Sequence, residues 1–251
     1  MLSNRHQLIL DYLKTHKLAT VDDLIIVTGV SPATVRRDLL KLDAEGLVYR
    51  VHGSVSALEP KDRQPTTSEK SALRHEQKLR IAKAASELIN AGDSVLLDAG
   101  TTTIEIAKLI QEMPLKIITT DLNIGILLAA HRQIDLSLTG GTVDWSSQSC
   151  IGDLARSVLS KIHPMITFIS CNAWDLKTGI TAPTVEKANL KSDLMHSKAK
   201  RVLVADSSKY GKSQLFEVAD LKAADLIITD SELDEDIARQ IREQGINLLT
   251  A

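Results

Sequence analysis

Apolar side chains near the start of the chain recur every three or four positions, which is the spacing of amphipathic α-helices. Three such stretches follow one another, and Gly29 separates the second from the third. Thr20 and Ser31 stand before the second and third stretches as typical helix N-caps, and Pro32 suits a first helical position. Two short helices, a glycine turn and a third helix predict a helix-turn-helix.

A different pattern follows the third helix. Residues 47–52 alternate between apolar and polar side chains, Gly53-Ser54 allows a turn, and Val55 continues the apolar face. This alternation predicts a β-hairpin. A hairpin placed directly after a helix-turn-helix is the wing of a winged helix, so we expect residues 1–56 to form a winged helix-turn-helix domain that binds DNA.

From residue 75 to residue 251, short apolar runs alternate with helical stretches. Such alternation predicts an α/β domain with a mostly parallel sheet and helices on both faces. The segment between the two patterns, residues 57–74, contains Pro60 and Pro65 with many charged and hydroxyl side chains, which is a linker composition. The predicted strands are residues 94–98, 116–119, 136–139, 165–170, 202–205, 226–229 and 246–249.

The third helix is the predicted DNA-reading element. Its start is small and polar, which permits close approach to a major groove, and Arg36 and Arg37 can bind guanine or phosphate. Adjacent residues lie about 100° apart on a helix, so one arginine is expected to read a base and the other to bind phosphate. The simpler alternative is that these charges are only solvated. The expected DNA contacts are Ser31, Ala33, Thr34, Arg36, Arg37, Lys41, Arg50 and His52.

Polar and glycine motifs follow several predicted strands of the larger domain. They are the runs 98–103 (DAGTTT), 120–123 (TDLN), 140–141 (GG) and 206–211 (DSSKYG). Each motif alone is more often an ordinary turn. Open α/β sheets bind ligands at the carboxyl ends of their strands, so the repetition predicts one ligand site there. Glycine, threonine hydroxyls and helix N-terminal amides suit a phosphate, and Lys209 supplies a cation.

Composition narrows the class of protein. The chain has 251 residues and a net charge of −2, so DNA binding depends on locally placed arginines rather than on bulk charge. Its two cysteines have neither metal-ligand nor disulfide-framework spacing, and we expect them to be buried thiols. No secretory segment and no apolar run of about 20 residues occurs, so a cytoplasmic protein without membrane contact is expected. No metal and no cofactor is expected.

The motifs together resemble the DeoR family of bacterial regulators of sugar metabolism. The resemblance rests on SPATVRRDL at 31–39 and EGLVYRVHG at 45–53, and it continues through DAGTTT, TDLN, Gly140-Gly141, Gly152 and DSSKYG over nearly the whole chain. It implies a sensor fold related to ribose-5-phosphate isomerase, repression of transport or catabolic operons, and an effector that is a phosphorylated sugar or sugar alcohol. It also implies oligomers.

The resemblance completes the list of expected effector contacts. Asp98, Gly100, Thr101 and Thr102 are expected to line the site, and Lys191 matches a lysine on a later helix of the family. The full expected set is Asp98, Gly100, Thr101, Thr102, Thr103, Asp121, Asn123, Gly140, Gly141, Glu186, Lys191 and Lys209.

Three departures from the family pattern stand out. Ser54 replaces the second glycine of the wing, and Lys187 occupies the place of a glutamate four residues before Lys191, with Glu186 as its neighbour. Residues 170–174 also lack the expected glycines. The departures in the sensor domain imply an unusual effector or an altered pocket.

The expected partners are double-stranded operator DNA, a phosphorylated sugar, and further copies of the chain as a dimer or tetramer, because one winged helix reads only a half-site. The alternative is an isomerase-like enzyme for sugar phosphates with a DNA-binding appendage. It would need a carboxylate base near a cation, for which Asp98 or Glu186 with Lys191 or Lys209 are candidates. The altered glutamate position argues against an enzyme. Activation instead of repression stays open.

Overall fold

The computed structural model describes residues 3–16, 18–44, 47–51, 54–57 and 67–251. The chain divides into two compact units, Met1–Pro65 and Thr66–Ala251. The domain limits expected from the sequence, 1–56 and 75–251, stay predictions.

The first unit contains three helices and a small antiparallel sheet, and its strand order is β1-β3-β2. Thr20 and Asp23 form a capping box at the start of the second helix, and Gly29 ends that helix with a left-handed φ of 67°. The winged helix-turn-helix is therefore confirmed, with one short strand that the sequence did not predict. The elements are α1 (Asn4–His16), β1 (Ala19–Thr20), α2 (Val21–Thr28), α3 (Pro32–Ala44), β2 (Val48–Val51) and β3 (Ser54–Ala57).

The apolar positions predicted for the three helices form the core of this unit. Ile9 and Leu13 from α1 and Leu24 from α2 pack against Val35 and Leu39 from α3. All five side chains are buried, so the helical periodicity of the sequence matches the packed face of each helix.

The second unit is built around a seven-stranded parallel sheet. Its elements are α4 (Thr67–Ala72), α5 (His75–Ser86), β4 (Ser94–Leu97), α6 (Thr101–Ile110), β5 (Leu115–Thr119), α7 (Leu122–Leu128), β6 (Ile134–Leu138), β7 (Thr142–Asp144), β8 (Ser149–Ile151), α8 (Asp153–Leu159), β9 (Ile166–Ser170), β10 (Ala173–Asp175), β11 (Gly179–Ala182), α9 (Val185–Met195), β12 (Lys200–Val204), β13 (Phe216–Ala219), β14 (Leu226–Thr229), α10 (Glu235–Glu243) and β15 (Leu248–Thr250).

The strand order of the large sheet is β15-β14-β12-β9-β4-β5-β6, and every neighbouring pair is parallel. These seven strands are the seven predicted from the apolar runs, which confirms the α/β class. Two further features were not predicted: the hairpin β7-β8 and the antiparallel sheet β10-β11-β13. Helix α4 was not predicted either, and it lies within the segment whose composition resembles a linker.

Two buried apolar clusters cover the two faces of the large sheet. One contains Phe168 and Val202, and the other contains Ile169 and Leu203, so neighbouring residues of one strand point to opposite faces. Burial on both faces explains the continuous apolar runs of these strands. Cys150 and Cys171 are buried and free. In the part of the chain that the structure describes, every helix is too short or too polar to cross a bilayer.

Candidate functional site

Helix α3 begins with a polar cap and a small exposed face. The Ser31 hydroxyl accepts a hydrogen bond from the Thr34 amide at 3.3 Å and lies 2.9 Å from the Thr34 hydroxyl. Ser31 and Ala33 are exposed and Thr34 is half-buried. The first turn of α3 therefore offers hydroxyls and little bulk, as close approach to a groove requires.

Arg36 and Arg37 are both exposed on α3, and Lys41 is exposed one turn later. Within the described residues, no carboxylate or carbonyl forms a hydrogen bond or ion pair with these three side chains. Arg5 behaves differently, because its guanidinium is bound to Asp38. The start and middle of α3 thus present positive charge that nothing in the described unit neutralises. The Arg50 side chain and His52 lie outside the described residues.

Asp38 fixes α3 from its inner side, a role that sequence reasoning missed. Its carboxylate is 3% exposed and accepts hydrogen bonds from Arg5 Nη2 at 3.0 Å and from His6 Nε2 at 3.2 Å. The hydrogen bonds from Arg5 lower the pKa of Asp38 below its usual value. The available signal was an acid between Val35 and Leu39, on the apolar stripe of the helix.

A second candidate site lies at the carboxyl edge of the large sheet, where Asp98 follows β4. This carboxylate is 1% exposed and accepts hydrogen bonds from the Ser170 amide at 3.1 Å, from the Ser170 hydroxyl at 3.3 Å and from Lys191 Nζ. Ser170 ends β9, and Lys191 lies on α9. Asp98 therefore ties two strand ends and a helix together.

All three N–H donors of the Lys191 ammonium form hydrogen bonds within the chain. Besides Asp98, its ammonium donates to the Ser170 carbonyl at 2.8 Å and to the Ser170 hydroxyl at 3.2 Å. A lysine has three N–H donors, so none of its three remains for another molecule. Ser170 also explains one departure from the family pattern, because a glycine there would lack the hydroxyl that bridges Asp98 and Lys191.

The run 98–103 shapes the start of α6. A Cβ on Gly100 would lie 2.6 Å from the Ser170 side chain, so only glycine fits this close approach. Thr103 donates to the carbonyls of Asp98 and Gly100, each at 2.7 Å, and stabilises the turn. Thr102 is 1% exposed, and its hydroxyl has no partner within the described residues. The first amides of α6 also lack intrahelical acceptors, so anion-binding groups converge here.

Asp121 and Asn123 are engaged in local structure. One oxygen of Asp121 caps α7 by accepting from the amides of Asn123 at 2.7 Å and Ile124 at 3.3 Å. The other oxygen accepts from the Gly100 amide at 3.2 Å. Burial raises the pKa of Asp121. These contacts hold the Gly100 turn next to β5.

Gly140 and Gly141 form the turn between β6 and β7, and both have a positive φ, of 67° and 115°. A Cβ on Gly141 would lie 2.7 Å from the Ile151 carbonyl. Both glycines therefore have a structural reason for their positions, since other residues rarely adopt this backbone conformation.

Lys187 points into the edge, whereas its neighbour Glu186 is exposed on α9. The Lys187 ammonium is 6% exposed and lies 2.8 Å from Asp144 and 3.2 Å from the Ser146 hydroxyl, both in the region of the β7-β8 hairpin. Burial acts to raise the pKa of Asp144, but hydrogen bonds from Lys187, Ser147 and Ser146 outweigh it and lower the pKa to about 2. The lysine that replaces the family's glutamate at position 187 is therefore neutralised by Asp144.

Two more lysines reach this edge. Lys209, on a short 3-10 turn after β12, donates to the Cys171 carbonyl at 3.0 Å and lies 3.8 Å from Asp206. Lys70, on α4, is half-buried. Burial, and then the ammonium groups of Lys187, Lys209 and Lys191, lower the pKa of Lys70 to about 8, with Asp144 acting in the opposite direction. Sequence reasoning placed Lys70 in the linker, because nothing in its spacing connects it with the distant lysines.

The structure thus gathers Asp98, Gly100, Thr101, Thr102 and Lys191 at one edge, with Lys209 nearby. It leaves Glu186 exposed, and it gives Thr103, Asp121 and the glycine pair structural contacts. Within the described residues, no group of His, Cys, Asp or Glu side chains has the arrangement of a metal site.

Two family models match this chain. The DeoR-like helix-turn-helix domain matches residues 5–61, and the DeoR C terminal sensor domain matches residues 73–231. An uncharacterized HTH-type transcriptional regulator of Haemophilus influenzae is 38% identical over 247 residues, which is 98% of this chain and 96% of that protein. A proposed aga operon transcriptional repressor of Escherichia coli O157:H7 is 32% identical over 98% of this chain and 93% of its own length.

Among solved structures, a ribose 5-phosphate isomerase A from Methanocaldococcus jannaschii overlaps 54% of each chain with a TM-score of 0.40 and 17% identity. A likeness at this level carries no argument about activity.

Proposed function

Because the chain belongs to the DeoR family of transcription regulators, we propose that it represses a carbohydrate transport or catabolism operon and that a phosphorylated sugar or sugar alcohol relieves the repression. The sensor half of this proposal is supported by the N-terminal amides of α6 and by the buried Thr102 hydroxyl, which has no partner within the described residues. The unneutralised arginines of α3 carry the DNA half.

On DNA, α3 enters the major groove of the operator with Ser31, Ala33 and Thr34 at the groove floor. Arg36 and Arg37 divide base reading and phosphate binding between them, and Lys41 adds a phosphate contact. Arg50 and His52 of the wing bind the backbone beside the groove. One such unit reads only a half-site, so the active protein is at least a dimer.

In the sensor unit, the effector's phosphate lies at the N-terminus of α6. The Thr101 and Thr102 hydroxyls and the first amides of that helix donate to its oxygens, and Lys209 supplies a positive charge. Asp98 and Lys191 support the pocket from beneath, since they neutralise each other. The ligand lowers operator affinity if it binds the DNA-free arrangement more tightly than the DNA-bound one.

The experiment has two steps. A panel of phosphorylated sugars and sugar alcohols is first screened for a rise in the thermal stability of the protein, since a ligand that binds only the native state raises it. Operator gel shifts are then run with and without each hit. At least one hit is expected to release DNA, and unphosphorylated sugars are expected to have no effect. If no phosphorylated compound changes operator affinity, the sensor half of the proposal is wrong.

We also propose that the sensor unit is not an isomerase. A general base must reach a substrate proton, but Asp98 is buried and already accepts from Ser170 and Lys191. Lys191 has no donor left to polarise a carbonyl, and Glu186 is exposed on the outside of α9. Absence of turnover in an isomerase assay with the same panel is the expected result.

A further inference from the structure

The short helix α4 is fastened to the carboxyl edge of the sheet. Lys78 Nζ, from α5, donates to the carbonyls of Lys70 and Leu73, the latter at 2.6 Å. Arg74, between the two helices, donates to the Ser207 hydroxyl at 3.1 Å. Its guanidinium also lies 3.5 Å from Asp230. Ser207 and Asp230 follow β12 and β14, so the corner between α4 and α5 lies at the same edge as Asp98.

The backbone of this corner is unusual. Arg74 has a φ of 57°, a left-handed conformation that non-glycine residues seldom adopt. Its guanidinium donates to the Ser207 hydroxyl and lies 2.8 Å from the Glu232 carboxylate. These two contacts stabilise the left-handed conformation. The direction in which α4 leaves the sheet edge is therefore determined by tertiary contacts.

Lys70 lies on this helix and differs from the other lysines of this edge in its ion pairing. Lys187 lies beside Asp144, Lys191 beside Asp98, and Lys209 3.8 Å from Asp206. No carboxylate in the described residues forms an ion pair with Lys70. Helix α4 contacts α6, and the Lys70 side chain is half-buried. Burial and the charges of Lys187, Lys209 and Lys191 lower the pKa of Lys70 to about 8, while Asp144 acts in the opposite direction. The cluster therefore has an excess of positive charge that an anion would neutralise.

We infer that Lys70 is a direct contact of the effector's phosphate and that it couples occupancy of the pocket to helix α4, which begins directly after the segment leading to the DNA-binding unit. This inference rests on the proposed function, because it assigns a further residue to the same anion site.

The physical reason is charge neutralisation. A phosphate monoester carries about −1.5 to −2 charges near pH 7 and binds lysine as a point charge. Lys70 gains more from such an anion than the other three lysines, each of which already has a carboxylate close by. Helix α4 has only six residues, so an anion held by Lys70 stabilises the whole of this short helix, which follows residues 58–66.

The test uses the full-length protein and inorganic phosphate as the probe. Phosphate affinity is measured by calorimetry for the wild type, for Lys70→Met, and for Lys70→Arg, which keeps the charge. Lys83→Met is the matched control, because Lys83 is an exposed lysine on α5. We expect Lys70→Met to weaken phosphate binding about tenfold or more, whereas Lys70→Arg and Lys83→Met stay within about threefold of the wild type.

Amide hydrogen exchange tests the coupling. Phosphate is expected to slow exchange in residues 67–72 of the wild type and of Lys70→Arg, but not of Lys70→Met. The free Lys70→Met protein is expected to melt at a higher temperature than the wild type at pH 7, because the substitution removes an ammonium crowded by like charges. A purely structural role for Lys70 would give the opposite, a lower melting temperature.

The outcomes separate the two proposals. Equal phosphate affinity and equal α4 protection in the wild type and Lys70→Met would overturn the role of Lys70 and leave the sensor proposal intact. Failure of phosphate and of every phosphorylated sugar to bind the wild type would overturn both.

Discussion

At the residue scale, some polar groups of the two candidate sites form hydrogen bonds or ion pairs within the chain, and others do not. Asp98 and Lys191 satisfy each other, while the Thr102 hydroxyl and the Arg36 and Arg37 guanidinium groups have no partner within the described residues. Groups left unsatisfied in a folded protein are the ones available to another molecule. This distinction separates side chains that stabilise the fold from those that the proposed function assigns to DNA or to the effector.

The arginines of α3 give the first residue-scale prediction. Arg36→Ala and Arg37→Ala are each expected to leave the fold intact and to weaken operator binding. Loss of a bidentate base contact costs about 1–3 kcal/mol, whereas loss of a phosphate contact mainly reduces the salt dependence of binding. Gel shifts at several salt concentrations tell the two roles apart. Lys14→Ala, on the exposed side of α1, is the control, and near-normal affinity in both arginine variants would refute the assignment.

The pair formed by Asp98 and Lys191 gives the second prediction. Asp98→Asn leaves the buried Lys191 ammonium without a counter-charge, and we expect a loss of about 3–5 kcal/mol in the free energy of unfolding of the sensor unit. Urea denaturation measures the loss. The double variant Asp98→Asn with Lys191→Met removes the orphaned charge and is expected to recover part of the stability. A single variant as stable as the wild type would show that the pair does not support the pocket.

At the element scale, each helix of the DNA-binding unit depends on both its own pattern and one cross-helix contact. Periodicity and caps determine where α3 begins and ends. Burial of Val35 and Leu39 determines which face of α3 packs against the core. Asp38 then links that face to Arg5 and His6 of α1. The outward direction of Arg36 and Arg37 follows from this inner anchoring.

The anchor of α3 gives the third prediction. Asp38→Asn keeps the side-chain shape but loses the ionic hydrogen bonds to Arg5, and we expect a cost of about 1–3 kcal/mol. Amide hydrogen exchange in α3 measures this cost, because that experiment follows the DNA-binding unit separately from the sensor unit. Asp11→Asn, which alters an exposed pair on α1, is the control. Unchanged protection of α3 would show that Asp38 does not hold the helix.

At the scale of the whole molecule, regulation requires that a ligand in one unit changes the affinity of the other for DNA. Such coupling is a free energy shared by two sites, so a variant can lose the response and keep each separate fold. Thr101 and Thr102 lie in the unit Thr66–Ala251, whereas Arg36 and Arg37 lie in the unit Met1–Pro65. Substitutions at the two places are therefore expected to have separable effects.

The threonines give the fourth prediction. Replacement of both Thr101 and Thr102 by valine keeps the volume but removes two donors from the proposed phosphate site. We expect operator affinity within about twofold of the wild type and a response to the phosphorylated hit weakened by about tenfold or more. Gel shifts across a ligand titration measure both quantities. Thr178→Val, at an exposed position, is the control, and a normal response in the double variant would exclude the α6 site.

The sequence by itself determined the three helices and the wing of the DNA-binding unit, the seven strands of the large sheet, and the edge at which its polar motifs lie. Helical periodicity, caps and apolar runs are local properties, so the winged helix and the seven parallel strands followed from them. The motifs after β4, β5, β6 and β12 were expected at one edge because parallel strands end together.

Only the tertiary structure decided which charged groups neutralise each other. Lys191 and Asp98 are 93 positions apart, and Lys187 on α9 meets Asp144 in the β7-β8 hairpin, which no pattern predicted. Lys70 reaches the same edge through a corner held by Arg74 and Lys78. Such pairings depend on packing between distant segments, and local sequence spacing contains no information about those distances.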